Sequence, residues 1–526
     1  MPMNVSDLAF VPVQPPADTL AMPLLTSRNY RCQCGQPVYF RNSACLTCGT
    51  ALGYQCDQNQ VLPLMPALAD TVAAAQLDLP PFGALQPVLW QVWQSTAAGS
   101  GPDAAFAAAA AAAVATGAGA GAIFYQDPAQ APPPLQLQDL PGQQATPPLQ
   151  APPPDTNAPP LGEPSPLPPE PPLKGGDHAF AGESGVSSVF GCFEPVSSQV
   201  PALYKRCTNL ATPAACNWLI AAQDPHDFCR ACRLNRTIPD LMDTRHPDNG
   251  YLWGLVEAAK RRLVSSLIAL GLPVASRVSE DPQRGLMFDL LRSSAAVPHV
   301  MTGHDSGLIT LNVDEADDAK REQVRQAMRE PYRTLLGHFR HEVGHYYWDR
   351  LIQGTPWLDD FHTLFGDESL NYAQALQRHY TEGPSSDWPH RFVSAYASTH
   401  PWEDWAECWA HYMHMRDAVD TARGFGLMSS LDTAGADLEF TPFTLTALWR
   451  PDDPSAADFL AFMNHWSRLT MLLNQMSRSM GQPDFYPFTV PVPVVAKLHF
   501  IHEVIVARQW EAADVAAVQP ALRMAA

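Results

Sequence analysis

Positive charge is scarce in this sequence of 526 residues, which has 33 Lys and Arg against 53 Asp and Glu. Residues 1–200 hold 14 acidic and 4 basic side chains, and the remainder hold 39 and 29, so each part carries a net charge near −10. A general nucleic-acid-binding protein needs clustered Lys and Arg, and this composition excludes that class. We therefore expect an acidic surface and no nucleic-acid partner.

The sequence also has little that would take it into a membrane. Its N-terminus, MPMNVSDLAF, has no basic region ahead of an apolar run, so we expect no signal peptide. The uncharged stretch AAFAAAAAAAVATGAGAGAIFYQ, residues 104–126, is rich in Ala and Gly, whereas membrane spans usually depend on Leu, Ile, Val and Phe. We predict neither a membrane span nor a membrane partner.

Cysteines spaced as in a disulfide framework are missing as well. Eight of the eleven cysteines fall into two sets that each end in C-x-x-C, a pattern typical of metal sites in a reducing compartment. The sequence therefore predicts zinc modules and a cytoplasmic location.

The first set of cysteines lies in YRCQCGQPVYFRNSACLTCGTALGYQ. The predicted ligands are Cys32, Cys34, Cys45 and Cys48. Gly35 and Gly49 follow the two pairs, where tight turns need glycine. Because the first pair is C-x-C where C-x-x-C is usual, Cys56 is an alternative ligand. We predict an N-terminal zinc ribbon over residues 28–56 that holds one structural zinc ion.

The chain changes character after the ribbon. Residues 131–173 alone contain 17 prolines, and the neighbouring Ala, Gly and Gln stretches lack the apolar periodicity that builds a core. We predict a disordered Ala- and Pro-rich linker over residues 57–200.

A second set of thiols follows in CTNLATPAACNWLIAAQDPHDFCRACRLNRTIPDL. The predicted ligands are Cys207, Cys216, Cys229 and Cys232. Trp218 and Leu219 lie between them and can pack under a small metal site, and His226 is close enough to be an alternative ligand. We predict a second zinc module over residues 201–245 with a second structural zinc ion.

Periodic signals for a helix and a strand come next. The apolar positions of the helix are Leu252, Leu255, Val256, Ala259, Leu263, Leu267 and Leu270. Their spacing of three or four predicts an amphipathic helix, with Lys260, Arg261 and Arg262 among the outward positions and a stop at residues 271–273. GLITLNV, residues 307–313, predicts a strand whose sheet edge would suit an extended peptide.

The strongest chemical signal is the sequence His341-Glu342-Val343-Gly344-His345. Residues four apart lie on one face of a helix, so both imidazoles can point at a single ion. Glu342 is rotated by about 100° from His341, which places its carboxylate beside the metal, where it can take a proton from water. The pattern predicts a catalytic zinc site.

A catalytic zinc needs a third protein ligand and an open position. The best source is SAYASTHPWEDWAECWAHY, in which Thr-His-Pro, ending at Pro401, predicts a helix start. Glu403 and Glu407 lie four apart on this helix, with Asp404 as a further candidate. One glutamate can bind zinc while the other accepts a hydrogen bond from the outer nitrogen of a ligand histidine.

The sequence R-H-E-V-G-H-Y-Y-W-D-R, followed about 60 residues later by E-x-x-A-E, resembles the gluzincin metallopeptidases. The spacing from Tyr396 to Glu403 is similar to that of the anthrax lethal factor-like branch, in which a tyrosine faces the developing oxyanion. The resemblance implies that Glu403 binds zinc together with His341 and His345. It also implies that Glu407 supports the site and that Tyr396 stabilises the oxyanion.

The ribbon, CNWLI, FCRACRLNRTIPDL, GHFRHEVGHYYWDRL and VSAYASTHPWEDWAECWAHY together resemble a bacterial family described as putative zinc-binding metallopeptidases with an N-terminal zinc ribbon. The resemblance covers residues 30–55 and about 200–510, and departs from the family at the C-x-C pair and the long insertion. We expect an α+β, mostly helical, zincin-like domain over residues 246–510, with a small sheet before the active helix.

We therefore predict a zinc-dependent hydrolase that cleaves peptide bonds in a peptide or protein substrate by a metal-activated water, with Glu342 as general base. The predicted cofactors are one catalytic and two structural zinc ions. The alternative function is a binding protein whose zinc ribbon recruits a protein partner while the peptidase domain is weakly active or latent.

Overall fold

A computed structural model describes most of the chain outside the predicted linker. The described residues are 22, 24–67, 72, 75, 88–93, 202–293, 300–328, 330–427, 440–446, 450, 452–453 and 455–507. The Ala-rich stretch at 104–126 and the Pro-rich stretch at 131–173 lie outside them. None of the described helices combines the length and the apolar character needed to cross a membrane.

Helices dominate the described residues, and the strands are short. The strands are β1 (Tyr30–Arg31), β2 (Pro37–Val38), β3 (Ala51–Gln55), β4 (Gln60–Pro66), β5 (Trp90–Val92), β6 (Leu203–Arg206), β7 (Leu219–Ala221), β8 (Asn235–Thr237), β9 (Met287–Leu291), β10 (Gly303–Asp305) and β11 (Leu308–Asn312). The helices are α1 (Asn249–Ala269), α2 (Asp318–Met328), α3 (Leu335–Leu351), α4 (Leu358–Leu364), α5 (Tyr372–Glu382), α6 (Trp388–Arg391), α7 (Pro401–Gly424), α8 (Pro442–Thr446), α9 (Ala456–Ser479) and α10 (492–507). Short 3-10 helices cover Thr208–Ala211, Cys232–Leu234, Val313–Ala316 and Tyr396–Thr399. The predicted α+β, mostly helical fold is confirmed.

A five-stranded antiparallel sheet joins the two cysteine-bearing segments. Its strand order is β3-β4-β5-β6-β7, and β5 pairs with β6 through Trp90 and Tyr204. The segments before and after the long insertion therefore share one sheet. Strands β4 and β5 lie within residues 57–200, so this part of the predicted linker is ordered. Most of the remaining linker lies outside the described residues, and the domain boundaries stay a prediction.

The predicted strand at residues 307–313 is confirmed as β11, in a second sheet of order β10-β11-β9-β8. Strands β8, β9 and β11 are parallel, whereas β10 pairs antiparallel with β11 at the edge. The sheet packs against α3 through Phe288 and Phe339, whose ring centroids are 5.6 Å apart. This packing brings the edge strand β10, with His304 at its centre, alongside the helix that carries the two histidines.

The predicted helix α1 is confirmed, and it ends just before Gly271, whose φ of +68° L residues rarely adopt. The prediction that Lys260 and Arg261 point outward is wrong, because these side chains are only 0% and 2% exposed. Lys260 forms an ion pair with Glu257 at 2.7 Å, and Arg261 donates to Ala214 O at 2.8 Å. These two cations, which the periodicity had assigned to solvent, thus contact buried partners instead.

The segment leading into the ribbon lies across α7. The Arg28 guanidinium is buried against Asp417 at 3.3 Å, and Asn29 donates to Gly424 O at 3.1 Å. Gly424 has to be glycine here, because a Cβ at this position would come within 2.2 Å of Ser27 O. The ribbon is therefore anchored to the helical domain through its own N-terminal side.

Helices α3 and α7 pack closely at the middle of the H-E-x-x-H sequence. A Cβ on Gly344 would lie 3.0 Å from Ala406 Cα, so only glycine allows this approach without displacement. Trp405 Nε1 donates to Gly344 O at 2.8 Å, and Tyr347 stacks on Trp409 with ring centroids 5.1 Å apart. These contacts fix the two helices that carry the predicted zinc ligands.

Candidate metal centres

Both ligand-bearing helices have well-defined starts. Helix α3 is capped by Thr334, whose side chain accepts from Gly337 N at 3.0 Å. Helix α7 begins at Pro401, as predicted, and His400 caps it by accepting from Trp402 N at 3.2 Å. The register of each helix is therefore set close to the functional residues.

Three predicted ligands converge where α3 and α7 cross. Glu403 Oε2 lies 3.0 Å from His341 Nε2 and 3.6 Å from His345 Nε2. Glu403 is only 1% exposed, yet its Oε2 makes no hydrogen bond of normal geometry with the described residues. Because an unpaired buried carboxylate oxygen is costly, and because two imidazoles and a carboxylate are zinc ligands, these residues fit a zinc ion.

The charges of these groups depend on one another. Burial would raise the pKa of Glu403, but the facing His345 and His341 hold it well below its ordinary value. Burial would lower the pKa of His341, but Glu403 and Glu407 hold it well above its ordinary value. These side chains are therefore electrostatically coupled, with the carboxylate of Glu403 stabilised by the imidazoles that face it.

Glu407 lies behind His341. The Nδ1 of His341 donates to Glu407 Oε1 at 2.8 Å, which leaves Nε2 as the nitrogen that faces Glu403. Ser394 Oγ donates to Glu407 Oε2 at 2.7 Å and accepts from Ala397 N at 3.0 Å. Ser394 carries no motif, and the sequence analysis missed its contact with Glu407.

Two tyrosines lie beside the candidate ligands. The ring of Tyr396 is 6.0 Å from that of His341, and the Tyr372 hydroxyl donates to Glu403 Oε1 at 2.7 Å. Burial, then Glu403 and more weakly Glu342, raise the pKa of Tyr372. The Glu342 residue itself is partly exposed. Tyr372 was missed by the sequence analysis, because it belongs to neither motif.

Aromatic rings pack against the second histidine. The Trp402 ring centroid lies 4.0 Å from that of His345, and the His304 ring stacks on His345 at 6.1 Å. Burial, together with His345, lowers the pKa of His304 to about 3, and its Nε2 accepts from Gly307 N at 2.9 Å. His304 is thus a neutral neighbour of the site.

Asp404, the further candidate ligand, lies away from this site. It is fully buried and forms an ion pair with Lys497. Burial raises the pKa of Asp404 to about 6 against the opposing effect of Lys497. The structure therefore brings Glu403, and not Asp404, to the two histidines.

The ribbon cysteines form a compact cluster whose Sγ atoms lie within 4.8 Å of one another. The cluster consists of Cys32, Cys34, Cys45 and Cys48. Gly35 and Gly49 adopt φ values of +85° and +71°, in agreement with the predicted turns. The alternative ligand Cys56 is buried outside this cluster.

The second cluster is equally compact and wholly buried. It consists of Cys207, Cys216, Cys229 and Cys232. The Sγ atoms of Cys216 and Cys229 are 3.6 Å apart. His226 lies outside the cluster, where its Nδ1 is 2.8 Å from Asp224 and from Arg233. Trp218 is fully buried and packs against Tyr54 with ring centroids 5.0 Å apart.

Family profiles divide the chain into a zinc-ribbon part and a metallo-peptidase part. A family profile described as "Putative zinc-binding metallo-peptidase" matches residues 249–504, and a zinc-ribbon domain profile matches residues 29–78 together with 189–243. The two zinc-ribbon matches contain four strands of the five-stranded sheet, β3 and β4 in the first and β6 and β7 in the second, whereas β5 lies between the matched ranges.

The similar proteins include uncharacterized ones from Mycobacterium bovis and from two strains of Mycobacterium tuberculosis. Each is 46% identical to this chain over 300 residues, which is 57% of this chain and 82% of the mycobacterial protein. No solved structure shows significant similarity. The chain therefore belongs to the putative zinc-binding metallo-peptidase family and also carries a zinc-ribbon domain.

Proposed function

We propose that the protein is a gluzincin-like zinc peptidase whose catalytic ion is held by His341, His345 and Glu403. The observation that carries the proposal is the convergence of their three ligand atoms at a buried point where Glu403 Oε2 makes no normal hydrogen bond with the described residues. Glu407 strengthens it by orienting His341 from behind.

His341, His345 and Glu403 would hold a zinc ion here, which would supply Lewis-acid activation of a water molecule. Glu342 accepts the proton of the attacking water and passes it to the leaving amine. The Tyr396 phenol donates a hydrogen bond to the developing oxyanion. Glu407 keeps the Nδ1 proton of His341 in place during the reaction.

Each four-cysteine cluster holds a structural zinc ion in this proposal. Four thiolates close the coordination sphere, which is typical of structural sites, whereas two histidines and a glutamate leave a position open. Thiol clusters of this kind suit a reducing compartment, which favours the cytoplasm.

Bound metal per chain tests the ligand assignment. Elemental analysis should give three zinc ions in the wild type and two in both His341→Ala and Glu403→Ala. His338→Ala is the matched control on the same helix, because His338 contacts Glu315 and should leave three ions bound. Two ions in all four proteins would contradict the catalytic site.

Glu342→Gln tests the role of the general base. We expect the variant to keep its zinc and to hydrolyse a peptide library about 100- to 10,000-fold more slowly, because the proton acceptor is lost. Undiminished hydrolysis would show that Glu342 is not the general base.

Tyr396→Phe tests the oxyanion donor. We expect kcat to fall about 100- to 1,000-fold with unchanged zinc content, since such a donor acts mainly in the transition state. Loss of zinc in this variant would instead give Tyr396 a structural role.

Recruitment of a protein partner by the ribbon is a second candidate function. Tyr39 and Leu46 favour it, because these side chains lie on the ribbon and are 74% and 87% exposed. Leu46→Asp should then raise KM for a protein substrate and leave KM for a short peptide unchanged. Equal KM values for wild type and variant with both substrates would argue against recruitment.

A further inference from the structure

Helix α5 is a surface helix next to the proposed catalytic site. None of its residues, all of which the structure describes, is buried. It lies between Gly366 and Gly383, whose φ values are +106° and +85°. The side chain of Asn371 caps it by accepting from Gln374 N at 3.0 Å. Such a helix depends on a few contacts for its position.

Tyr372, the first residue of α5, contacts the candidate zinc ligand Glu403. The Tyr372 hydroxyl donates to Glu403 Oε1 at 2.7 Å. The Tyr372 ring meets the His400 ring edge to face, with centroids 5.4 Å apart. His400 Nε2 donates to Leu370 O at 3.0 Å, so the chain entering α5 is held at the start of α7. Tyr372 is thereby fixed over the carboxylate of Glu403.

The two oxygens of Glu403 have different partners. Oε1 accepts from Tyr372, whereas Oε2 faces the ring nitrogens of His341 and His345. A carboxylate held on one oxygen presents the other to a metal in a fixed direction, as partners behind metal ligands commonly do. The phenol also offsets the cost of burying Oε1, because a buried carboxylate oxygen needs a donor.

We propose that Tyr372 is a positioning residue that holds Glu403 so that only Oε2 faces the metal. This inference rests on the proposed function, because it takes Glu403 as a zinc ligand. Tyr372 acts here on the ligand through one hydrogen bond, in the way that Glu407 acts on His341.

The contact also links the metal to the position of α5. If the hydrogen bond from Tyr372 strengthens zinc binding, zinc must strengthen the docking of α5 by the same factor, because such coupling is reciprocal. Zinc bound at His341, His345 and Glu403 therefore makes the local opening of residues 372–382 less favourable.

Tyr372→Phe in the full chain tests the proposal, because it removes only the hydroxyl. With the cysteine clusters kept loaded, zinc affinity at the remaining site is measured by competition with a chromophoric chelator. We expect binding about 10- to 100-fold weaker than in the wild type. Co²⁺ bound at the same site should show a shifted visible absorption band.

Tyr380→Phe is the matched control, because Tyr380 lies on the same helix and is 61% exposed. This variant should keep the wild-type zinc affinity. In amide hydrogen exchange, zinc should protect residues 372–382 in the wild type and in Tyr380→Phe but not in Tyr372→Phe.

Wild-type zinc affinity and an unchanged Co²⁺ band in Tyr372→Phe would overturn the positioning role while leaving the proposed function intact. A wild type that binds the same number of zinc ions as His341→Ala would overturn both. Equal weakening in Tyr372→Phe and Tyr380→Phe would assign the effect to the helix and also overturn the role of the hydroxyl.

Discussion

The two four-cysteine clusters have the same ligand chemistry but different surroundings. In the ribbon cluster Cys34 and Cys48 are exposed, whereas all four thiols of the second cluster are buried. The second cluster also lies against α1, since Cys232 Sγ is 4.0 Å from Glu257 Oε2. The ribbon cluster thus reaches from the core to the surface, whereas the second lies wholly within the core.

Burial changes what the second cluster needs from its neighbours. Four thiolates around a divalent ion carry a net negative charge, which water can solvate at the ribbon but not in the core. The positive charge of Arg261 is buried against this module, since its guanidinium donates to Ala214 O at 2.8 Å. Burial would lower its pKa, but the charges of Cys216 and Glu257, followed by those of other cluster thiols, raise it. Helix α1 therefore supplies charged side chains next to the second cluster.

Removal of one thiol should have the largest effect on stability, and this effect should differ most between the two clusters. Structural zinc binding contributes on the order of 10 kcal/mol in small zinc modules, comparable with the whole stability of a domain at about 5–15 kcal/mol. We therefore expect Cys216→Ser to abolish the cooperative unfolding transition in circular dichroism. Cys34→Ser, in the exposed cluster, should keep that transition and lose at most the ribbon zinc.

Equal loss of the folded state in both cysteine variants would contradict the difference between the clusters. It would mean that zinc in the ribbon is as important to the core as zinc in the second cluster. Zinc content measured on the same samples separates metal loss from unfolding.

Local patterns in the sequence predicted the side chains that converge and the contact of Glu407 behind His341, but not the contacts of Tyr372 and Ser394. The spacing of His341 and His345 on one helix and the pairing of the cysteines depend on residues close in sequence. The contact of Tyr372 with Glu403 spans 31 residues, and no periodicity marks it. Ser394, 13 residues before Glu407, is similarly invisible before the chain folds.

The errors concern tertiary burial. Lys260 and Arg261 were assigned to solvent because charged residues usually occupy the outward face of a helix. Helix α1 has neighbours on more than one side, with the cysteine module near Arg261 and Asp417 of α7 in contact with Arg262 at 2.8 Å. The strands β4 and β5 were overlooked for a similar reason, since the pairing of β5 with β6 joins segments on either side of the insertion.

Removal of the positive charge of Arg261 should have the next largest effect. Arg261→Met keeps the length of the side chain but leaves the buried thiolates without its charge, and breaking such a buried pair costs about 3–5 kcal/mol. We expect a lower midpoint in urea and faster loss of zinc from the second cluster. The matched control is Arg31→Met beside the ribbon cluster, where Arg31 is exposed and donates to Gly35 O at 3.1 Å.

An Arg261→Met protein with unchanged stability and zinc release would show that the buried thiolates are compensated by another group. A similar loss of stability and zinc in Arg31→Met would show that the exposed ribbon cluster also needs a neighbouring positive charge.

The smallest expected effect on stability comes from the hydrogen bonds that connect the second cysteine module to the ribbon. Asn217 is 3% exposed, and its amide donates to Phe40 O and Asn42 O, both at 2.9 Å, so it ties the second module to the ribbon turn. Asn217→Ala leaves two carbonyls without this donor and should cost about 1–3 kcal/mol. Gln33→Ala, which removes a bond to Thr50 within the ribbon, is the control.

The rate at which a maleimide labels each cysteine then shows how the clusters open. In Asn217→Ala we expect faster labelling of the ribbon thiols Cys32 and Cys45, which are buried in the intact ribbon, and unchanged labelling of Cys216 and Cys229. That pattern would mean that the ribbon can open while the second cluster stays closed. The ribbon cluster would then depend on the hydrogen bonds of Asn217, and the second cluster on its contacts with α1. Faster labelling of all four together would mean that both clusters belong to one cooperative unit.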